Sequence, residues 1–354
     1  MPDLQARTPP EVPPLDVTLL ERTVRSVDPS AWDGFILDCG SSFLGTWRVV
    51  RANQFLSRVR VFEFFVHQNG TACKIGQCAV AVAARRIRFL DRLHLLPAWV
   101  DQWDRCVALV VERCGGGVYE YGSLWNAEDR RAPDGPVGGW VSRTLPGRRF
   151  LIDRVDFTRW SNFAHYRDEV SENIRRDYRK AVAASAVVES RQGLAALRDV
   201  LTLCRLRSEV MRRNRQRFSL AVDIAKHVLK IVCIGKLAFI ATVRADGHCP
   251  AAFFGVQFGD DIYYLAGGTE KNGNGYGSYL FLTLIEEWFA THPGGKLYLG
   301  RQVACVDPAT YKRGNQLYRR KLRATAGPGT AFQVKVVRAE SVSTANDPAL
   351  AGAP

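Results

Sequence analysis

The chain has 354 residues, of which 47% are hydrophobic, and a formal net charge of +14 at pH 7. It is long enough for two modest hydrophobic cores, and it holds no apolar run near the roughly 18 residues of a membrane-spanning helix. Its nine cysteines form no Cys-x-x-Cys pair, so the sequence excludes a zinc site of that spacing and a disulfide framework. We therefore expect a cytoplasmic protein whose positive charge favours acidic partners.

The first half of the chain predicts several strands and one helix. Residues 1–15, with five prolines, and residues 339–354 are expected to be disordered. Strands are predicted at 58–66, 72–82 and 86–90, with Asn69-Gly70 as the turn between the first two. A helix is predicted over 99–113, and a further strand over 118–121.

The middle of the chain is basic. A strand is predicted over 150–156, followed by helical segments that begin near Ser161 and Leu194. The second of these segments ends in an arginine cluster: Arg205, Arg207, Arg212, Arg213, Arg215 and Arg217. Such runs are most often solvated helix faces, and the alternative is a surface that binds a polyanion.

The second half predicts a glycine-rich loop between a strand and a helix. Strands are predicted over 252–258 and 262–266, the loop over 267–277, and a helix from Ser278, as its cap, to about Ala290. Glycines let a backbone approach a ligand closely, and the first N–H groups of a helix point outward. The pattern therefore favours a phosphate site, with a flexible solvent loop as the alternative.

The order strand, turn, two strands, helix and strand occurs twice in the chain. The turn glycines Gly70 and Gly247, and the strand-ending glycines Gly122 and Gly300, lie at nearly the same separation. The predicted fold is therefore α/β with mixed sheets in two similar lobes, at residues 16–148 and 149–338. In the first lobe, residues 92–97 replace the glycines, so only the second lobe is predicted to hold a phosphate.

Several motifs carry a resemblance to known families. Residues 272–277 (NGNGYG) resemble the Gln/Arg-x-x-Gly-x-Gly/Ala pyrophosphate loop of the GNAT acyltransferase superfamily, with Asn at the first position. Residues 171–181 (SENIRRDYRKA) are similar to the helix that opens the catalytic lobe of FemAB-like acyltransferases, which include acetyltransferase-like proteins linked to bacterial exopolysaccharide and cellulose operons. Residues 299–301 (LGR) and 311–314 (YKRG) are similar to that family's Gly-Arg and Phe-Lys-Arg motifs, with Tyr in place of Phe and one residue fewer before the glycine.

The resemblance implies two tandem GNAT-like lobes and an N-acyltransferase. Its co-substrate would be acyl-CoA, its acceptor an amine, and it would hold no permanently bound cofactor. Because FemAB relatives use aminoacyl-tRNA, that donor is the first alternative, and tRNA or an acidic carrier protein is a candidate partner. The arginine cluster favours tRNA, whereas the glycine loop favours CoA. A non-catalytic binding protein linked to polysaccharide biosynthesis is the second alternative.

The resemblance also implies roles for individual residues. Tyr311 would protonate the leaving thiolate, with Tyr318 as the alternative. Acyl transfer also needs a base, and Glu270 and Asp307 are the nearest candidates in the sequence, with a surface carboxylate as the alternative for each. Substrate-binding roles are implied for Arg301, Lys312 and Arg176. Cofactor-binding roles are implied for Tyr264, Leu265, Ala266, Asn272, Gly273, Asn274, Gly275, Tyr276, Gly277 and Ser278. No metal is predicted, because the six histidines show no ligand spacing.

Overall fold

The computed structural model describes residues 16–303 and 313–338, apart from residues 69, 85, 123–124, 126–134, 138–139 and 272–274. Within these ranges a single sheet of 14 strands is accompanied by nine α-helices. The strands are β1 Val17–Arg22, β2 Arg58–Gln68, β3 Thr71–Ala83, β4 Arg86–Phe89, β5 His94–Leu95, β6 Gly117–Gly122, β7 Gly135–Val137, β8 Trp140–Asp156, β9 Val187–Gln192, β10 Ala238–Ala245, β11 His248–Phe258, β12 Asp261–Thr269, β13 Lys296–Val303 and β14 Thr325–Arg338. The helices are α1 Pro29–Asp38, α2 Trp47–Asn53, α3 Trp103–Cys114, α4 Phe163–Glu169, α5 Glu172–Ala183, α6 Val200–Arg213, α7 Leu220–Ile234, α8 Tyr276–Thr291 and α9 Arg313–Lys321. None of the described helices has the length and apolar character needed to cross a membrane.

The strand order repeats the same motif on both sides of the sheet centre. The order is β1-β2-β3-β4-β6-β14-β8-β13-β12-β11-β10-β9. In each half, antiparallel strands lead to a helix and then to a parallel strand: β4, α3 and β6 in the first half, and β12, α8 and β13 in the second. The predicted α/β fold with two similar lobes is therefore confirmed.

Two long strands join the lobes. Strand β8 pairs with β13 from Phe150 to Asp156, and β14 pairs with both β8 and β6. The predicted strand over 150–156 is thus the end of a strand that starts at Trp140. The proposed lobe boundary at residue 148 falls inside β8, and the C-terminal strand β14 is hydrogen-bonded to both lobes.

The core of the second lobe lies on both faces of the sheet, and on one face it continues into the first lobe. Along β10, Ile240 packs with residues of α2, α6 and α7, whereas Phe239 and Ala241 pack with residues of α5 and α8. This alternation follows from the two-residue period of a strand, and it explains why the central strands are apolar throughout. A third cluster, around Phe62 and Val110, forms the core of the first lobe between its strands and α3.

Two predicted helices begin later than expected. The segment before α3 is a 3₁₀ turn over 97–102 that starts at Pro97, and α3 begins at Trp103. The segment before α6 is a 3₁₀ turn over 193–199, opened by Gly193 with a φ of +57°. Each 3₁₀ segment leads directly into its α-helix, so the apolar pattern starts before the α-helix does.

Candidate functional site

Strands β12 and β13 diverge after a short parallel pairing. The two strands pair at Ile262 and Tyr263, and β12 then continues to Thr269 alongside β11. The β11 register shifts beside Phe254, so that Leu265 is the extra residue of a β-bulge in β12. A bulge bends its strand and redirects the local backbone groups. The result is a wedge-shaped opening along the second half of β12.

Helix α8 begins at the end of this opening. Its N-cap is Gly275, with a φ of 84° in the left-handed region that glycine adopts freely, rather than the predicted Ser278. Ser278 is the third residue of the helix, and its hydroxyl donates to Asp177 on α5 at 3.3 Å. A Cβ on Gly275 would overlap the Asp177 side chain, so glycine is also what lets α5 approach α8. Ser278 therefore links α8 to α5 and does not cap α8.

A pocket of about 410 Å³ lies where the end of β12, the start of α8, α6 and α9 meet. Sites for small ligands and cofactors are commonly about 300–1,000 Å³. The residues that line the pocket are Val210, Arg213, Ala252, Tyr264, Gly267, Gly268, Thr269, Glu270, Lys271, Gly275, Gly277, Ser278, Leu280, Phe281 and Tyr318. The opening beside β12 and the start of α8 are thus parts of one cavity.

Glycines shape the wall formed by β12 and α8. A Cβ on Gly268 would lie 2.5 Å from the backbone nitrogen of Arg207 on α6, and one on Gly277 would lie 2.8 Å from Cγ2 of Thr269. Gly267 and Gly268 belong to β12, so the prediction that the loop starts at residue 267 is wrong. The physical reason is that α6 packs directly on Gly268, while Gly267 lies against Tyr264 and Ala252, and these contacts compensate for the weak strand propensity of glycine.

Charged side chains of both signs border the pocket. Nη2 of Arg213 donates to the carbonyl oxygen of Thr269 at 2.6 Å, which fixes a guanidinium at the end of β12. Lys271 adds a second cation. The Glu270 carboxylate lies 3.5 Å from Nε2 of His248, and the Glu270 amide donates to the carbonyl of Pro250. Two cations beside a helix N-terminus favour an anionic ligand.

Two tyrosines border the pocket from different elements. The Tyr318 hydroxyl of α9 donates to the carbonyl of Gly277 at 3.5 Å, and the Phe281 ring lies between Tyr318 and Tyr264, with centroids 5.7 and 5.5 Å away. Burial raises the pKa of both phenols above the ordinary value. Both therefore keep their protons at neutral pH, and Tyr318 has a proton to donate.

Six of the residues predicted from sequence line the pocket, including Tyr318, the alternative acid; the other five are Tyr264, Glu270, Gly275, Gly277 and Ser278. The side chains of Leu265 and Ala266 pack in one core cluster of the second lobe, and Tyr276 packs in the other. Their cofactor-binding roles rest on backbone groups and stay predictions.

The remaining predicted residues lie elsewhere. Arg301 on β13 and Arg176 on α5 are exposed, and neither is among the described residues that line the pocket. Tyr311, Lys312, Asn272, Gly273 and Asn274 lie outside the described residues, as does Asp307. The roles predicted for all of these residues stay predictions.

Sequence reasoning missed the wall that α6 contributes. Leu206, Val210 and Arg213 are spaced four and three residues apart, which places them on one helical face. That face packs on Gly268 and reaches Thr269. The four-and-three spacing of these residues indicates such a face, but the surrounding arginines favour a basic surface instead.

At the equivalent point of the first lobe, side chains fill the space. The segment after β4 carries Arg92 and His94, which both bond the Ser41 hydroxyl, at 3.0 Å through Nε of Arg92 and 2.9 Å through Nδ1 of His94. The His94 ring packs against Gly45, whose Cβ position would be 2.6 Å from Cε1 of that ring. Among the described residues, the first lobe therefore does not repeat the pocket at this point.

One buried cluster has donor atoms suited to a metal. Ligand atoms of Cys204, Asp223 and His227 lie within 4.8 Å of one another. Nδ1 of His227 donates to the Asp223 carbonyl at 2.7 Å, and the Asp223 carboxylate accepts from Arg207 at 3.0 Å. Burial raises the pKa of the Cys204 thiol to about 12, so the sulfur stays protonated. These contacts occupy Nδ1 of His227 and the Asp223 carboxylate, and the guanidinium supplies positive charge, whereas Nε2 of His227 is buried without a hydrogen-bond partner among the described residues.

No protein-family profile and no curated protein matches the sequence. Among solved structures, FemX superposes with a TM-score of 0.61 at 9% identity, over 88% of this chain and 96% of that chain. The chain has the FemX fold. A conserved protein of unknown function from Bacteroides thetaiotaomicron VPI-5482 superposes with a TM-score of 0.51 at 8% identity, covering 90% and 100% of the two chains. A tandem GNAT protein from the clavulanic acid biosynthesis pathway has a TM-score of 0.49 at 12% identity, covering 91% and 98%.

The FemX likeness extends over both lobes, since it covers most of each chain. It confirms the FemAB-like, GNAT-type fold that residues 171–181 and 272–277 predicted. Within this FemX-like fold, the pocket lies in the second lobe, at the point where β12 and β13 diverge.

Proposed function

We propose that this protein is an N-acyltransferase that moves an acyl group from acyl-CoA to an amine acceptor. The observation that carries the proposal is the pocket in which the diverging edge of β12 meets the start of α8. The helix N-terminus, Arg213 and Lys271 supply positive charge for phosphates. Gly277 leaves the close approach that a pyrophosphate on a backbone requires.

The reaction joins the amine nitrogen to the thioester carbonyl carbon and breaks the bond between that carbon and sulfur. The amine loses a proton to a base, and the thiolate gains one from an acid. Negative charge develops on the carbonyl oxygen, where backbone N–H groups stabilise it. The bulge of β12 at Leu265 lies beside the opening between β12 and β13, where redirected backbone groups would serve this purpose.

Two residues at the pocket suit the proton transfers. Tyr318 borders the cavity and keeps its proton at neutral pH, so it is the described candidate for the acid, beside the predicted Tyr311. Glu270 lines the same cavity as the candidate base, and His248 beside it can receive the proton. Thiolate protonation and amine deprotonation would then use different sides of one pocket.

A second candidate donor is aminoacyl-tRNA. The end of α6 and the segment after it carry Arg212, Arg213, Arg215 and Arg217, all exposed, which suits a phosphate backbone. The Asp177 carboxylate beside the start of α8 works against a pyrophosphate at that helix. In this alternative the aminoacyl end would enter the same pocket and the same two residues would serve the proton transfers.

Native mass spectrometry of the purified protein tests the proposal. We expect a species heavier by one CoA when CoA is added, and release of free thiol when acetyl-CoA is supplied with a primary amine. A protein that retains no CoA at saturating concentration, yet binds aminoacyl-tRNA and releases free tRNA in the presence of an amine, would replace the proposal with the second candidate.

A further inference from the structure

The turn that follows α2 exposes two large apolar side chains. Phe55 is 91% exposed and Leu56 is 81% exposed. The chain turns at residues 54–57 before β2 begins at Arg58. Single exposed apolar residues are common in soluble proteins, but two adjacent ones at the tip of a turn form a protrusion.

Cations surround this protrusion. Arg51 precedes it and Arg58 follows it, and both are exposed. Nη2 of Arg88 donates to Oδ1 of Asn53 at 3.0 Å, which holds a third guanidinium beside the turn. Residues 46–62 contain no Asp or Glu. The tip is therefore apolar at its end and positively charged around its base.

Helix α7 extends this surface. Phe55 shares a groove of about 450 Å³ with Val232 and Cys233 of α7, and Nη2 of Arg48 donates to the Val232 carbonyl at 2.9 Å. Leu229, one turn earlier, is exposed on the same face of α7. Residues 224–245 contain Lys226, Lys230, Lys236 and Arg244 and no acid.

Two carboxylates lie near the groove, and each has an internal partner. Asp33 lines the groove and accepts from the backbone N–H of Trp47 at 2.6 Å. Asp28 precedes α1 and accepts from the backbone N–H of Ser30 at 2.8 Å. Neither carboxylate carries an ion pair to the arginines of the turn among the described contacts. The arginines therefore make the electrostatic potential at the turn positive.

We propose that this surface, made of the turn at residues 54–57, its flanking arginines and the exposed face of α7, docks on an anionic membrane. Phe55 and Leu56 would enter the boundary between headgroups and acyl chains, while Arg51, Arg58 and Arg88 would meet anionic headgroups. A second copy of this chain is a poor occupant, because it would bring the same cations against each other. The positive charge of the arginines and the exposed apolar tip together favour an anionic membrane as the binding partner.

Cosedimentation with vesicles tests the proposal. The probes are vesicles of phosphatidylcholine alone and vesicles with a quarter of phosphatidylglycerol. We expect the protein to bind the anionic vesicles, to bind them less at high salt, and to bind neutral vesicles weakly. Double substitution of Phe55→Ser and Leu56→Ser should lower the partition by about 10-fold or more. Leu194 is 64% exposed and lies outside this surface, so Leu194→Ser should leave the partition unchanged.

A second experiment removes two of the arginines. Replacing Arg51 and Arg58 by Gln should lower binding to anionic vesicles by roughly 5-fold for each charge. Lys180→Gln with Arg320→Gln removes the same charge from exposed positions of α5 and α9 and should have little effect. Equal binding by the wild type and the Phe55/Leu56 variant, or no binding to anionic vesicles, would overturn the proposal. A concentration-dependent dimer in light scattering that the Phe55/Leu56 variant abolishes would overturn it in favour of a second copy.

Discussion

Gly268 of β12 lies directly against the backbone of Arg207 on α6, so closely that a Cβ on the glycine would lie 2.5 Å from the Arg207 nitrogen. This contact sets the distance between α6 and the sheet. Because α6 lies so close, Arg213, two turns further along, reaches the carbonyl oxygen of Thr269. A glycine that the sequence places in a phosphate loop is thus a packing residue that positions a cation at the pocket.

Gly268→Ala should therefore destabilise the fold. The added methyl group would meet backbone atoms that cannot rotate away, and overpacking of this kind typically costs about 1–3 kcal/mol. Urea unfolding measures the change in the free energy of unfolding. Gly294→Ala is the matched control, since nothing lies within 4 Å of its Cβ position. Equal stability of the two variants would show that α6 is not held by this contact.

Tyr318→Phe should lower kcat more than it raises KM. A proton donor acts in the transition state, and removal of one general acid costs about 100-fold or more in rate. The readout is steady-state release of thiol from acetyl-CoA, with thermal melting to check the fold. Tyr178→Phe, which removes a hydroxyl bonded to Glu286 on an exposed surface, is the control. If Tyr311→Phe loses turnover while Tyr318→Phe keeps it, the acid is Tyr311.

Stability should depend on pH through Glu21. Hydrogen bonds from Arg60 and Arg113 outweigh burial and lower the pKa of this carboxyl to about 2. Its stabilising contribution is present above the unfolded pKa, near 4.3, and is lost as the pH falls toward 2. Glu21→Gln should cost about 1 kcal/mol at pH 7, a value reduced for a carboxylate 25% exposed to solvent, and almost nothing near pH 2.

Urea unfolding of the Glu21 variant at pH 7 and pH 3 supplies the measurement, and about half of the pH 7 effect should remain at pH 3. Glu112→Gln, on the exposed side of α3, is the control. A loss of stability that is the same at both pH values would contradict the ion-pair origin of the effect. Added salt should shrink the difference at pH 7, because part of this cluster is in contact with water.

The exposed arginines at the end of α6 and after it distinguish the two donors. Arg212→Gln, Arg215→Gln and Arg217→Gln together leave Arg213, which lines the pocket, in place. We expect acyl-CoA affinity to be nearly unchanged in this triple variant. If the arginines bind tRNA, its affinity should fall steeply with salt, by a log-log slope of roughly 0.7–0.9 per phosphate contact, and the triple variant should lose most of that dependence. A salt titration of both ligands makes the comparison.

The sequence predicted the elements of the site better than the walls of the pocket. Residues 252–258 lie within β11, as predicted, because a short, nearly continuous apolar run is typical of a strand that is buried on both faces. Ser278 was predicted as a cap and Gly275 is the cap, since Asp177, which lies on another helix, engages the serine hydroxyl. Contacts of this kind join distant parts of the chain, and local pattern does not report them.

Helix α7 and strand β14 were not predicted at all. In α7 the buried His227 and Ile231 are four residues apart, as on one face of a helix. The exposed Leu229 and Val232 are also apolar, so the sequence shows no clear apolar face. Strand β14 contains Gly327-Pro328-Gly329 near its start, a pattern typical of a turn. Pairing with β8 holds this segment in the strand, and β6 pairs on the other side from Ala331 onward. In both cases tertiary contacts override the local signal.

Isothermal calorimetry of CoA binding, with wild type and Gly277→Val, tests the central claim most directly. The valine side chain would start 2.8 Å from Cγ2 of Thr269 and fill the space between β12 and the start of α8. We predict one CoA per wild-type chain and no measurable CoA binding to the variant, while both proteins unfold cooperatively. Unchanged CoA affinity in Gly277→Val, or no CoA binding by the wild type, would contradict the account.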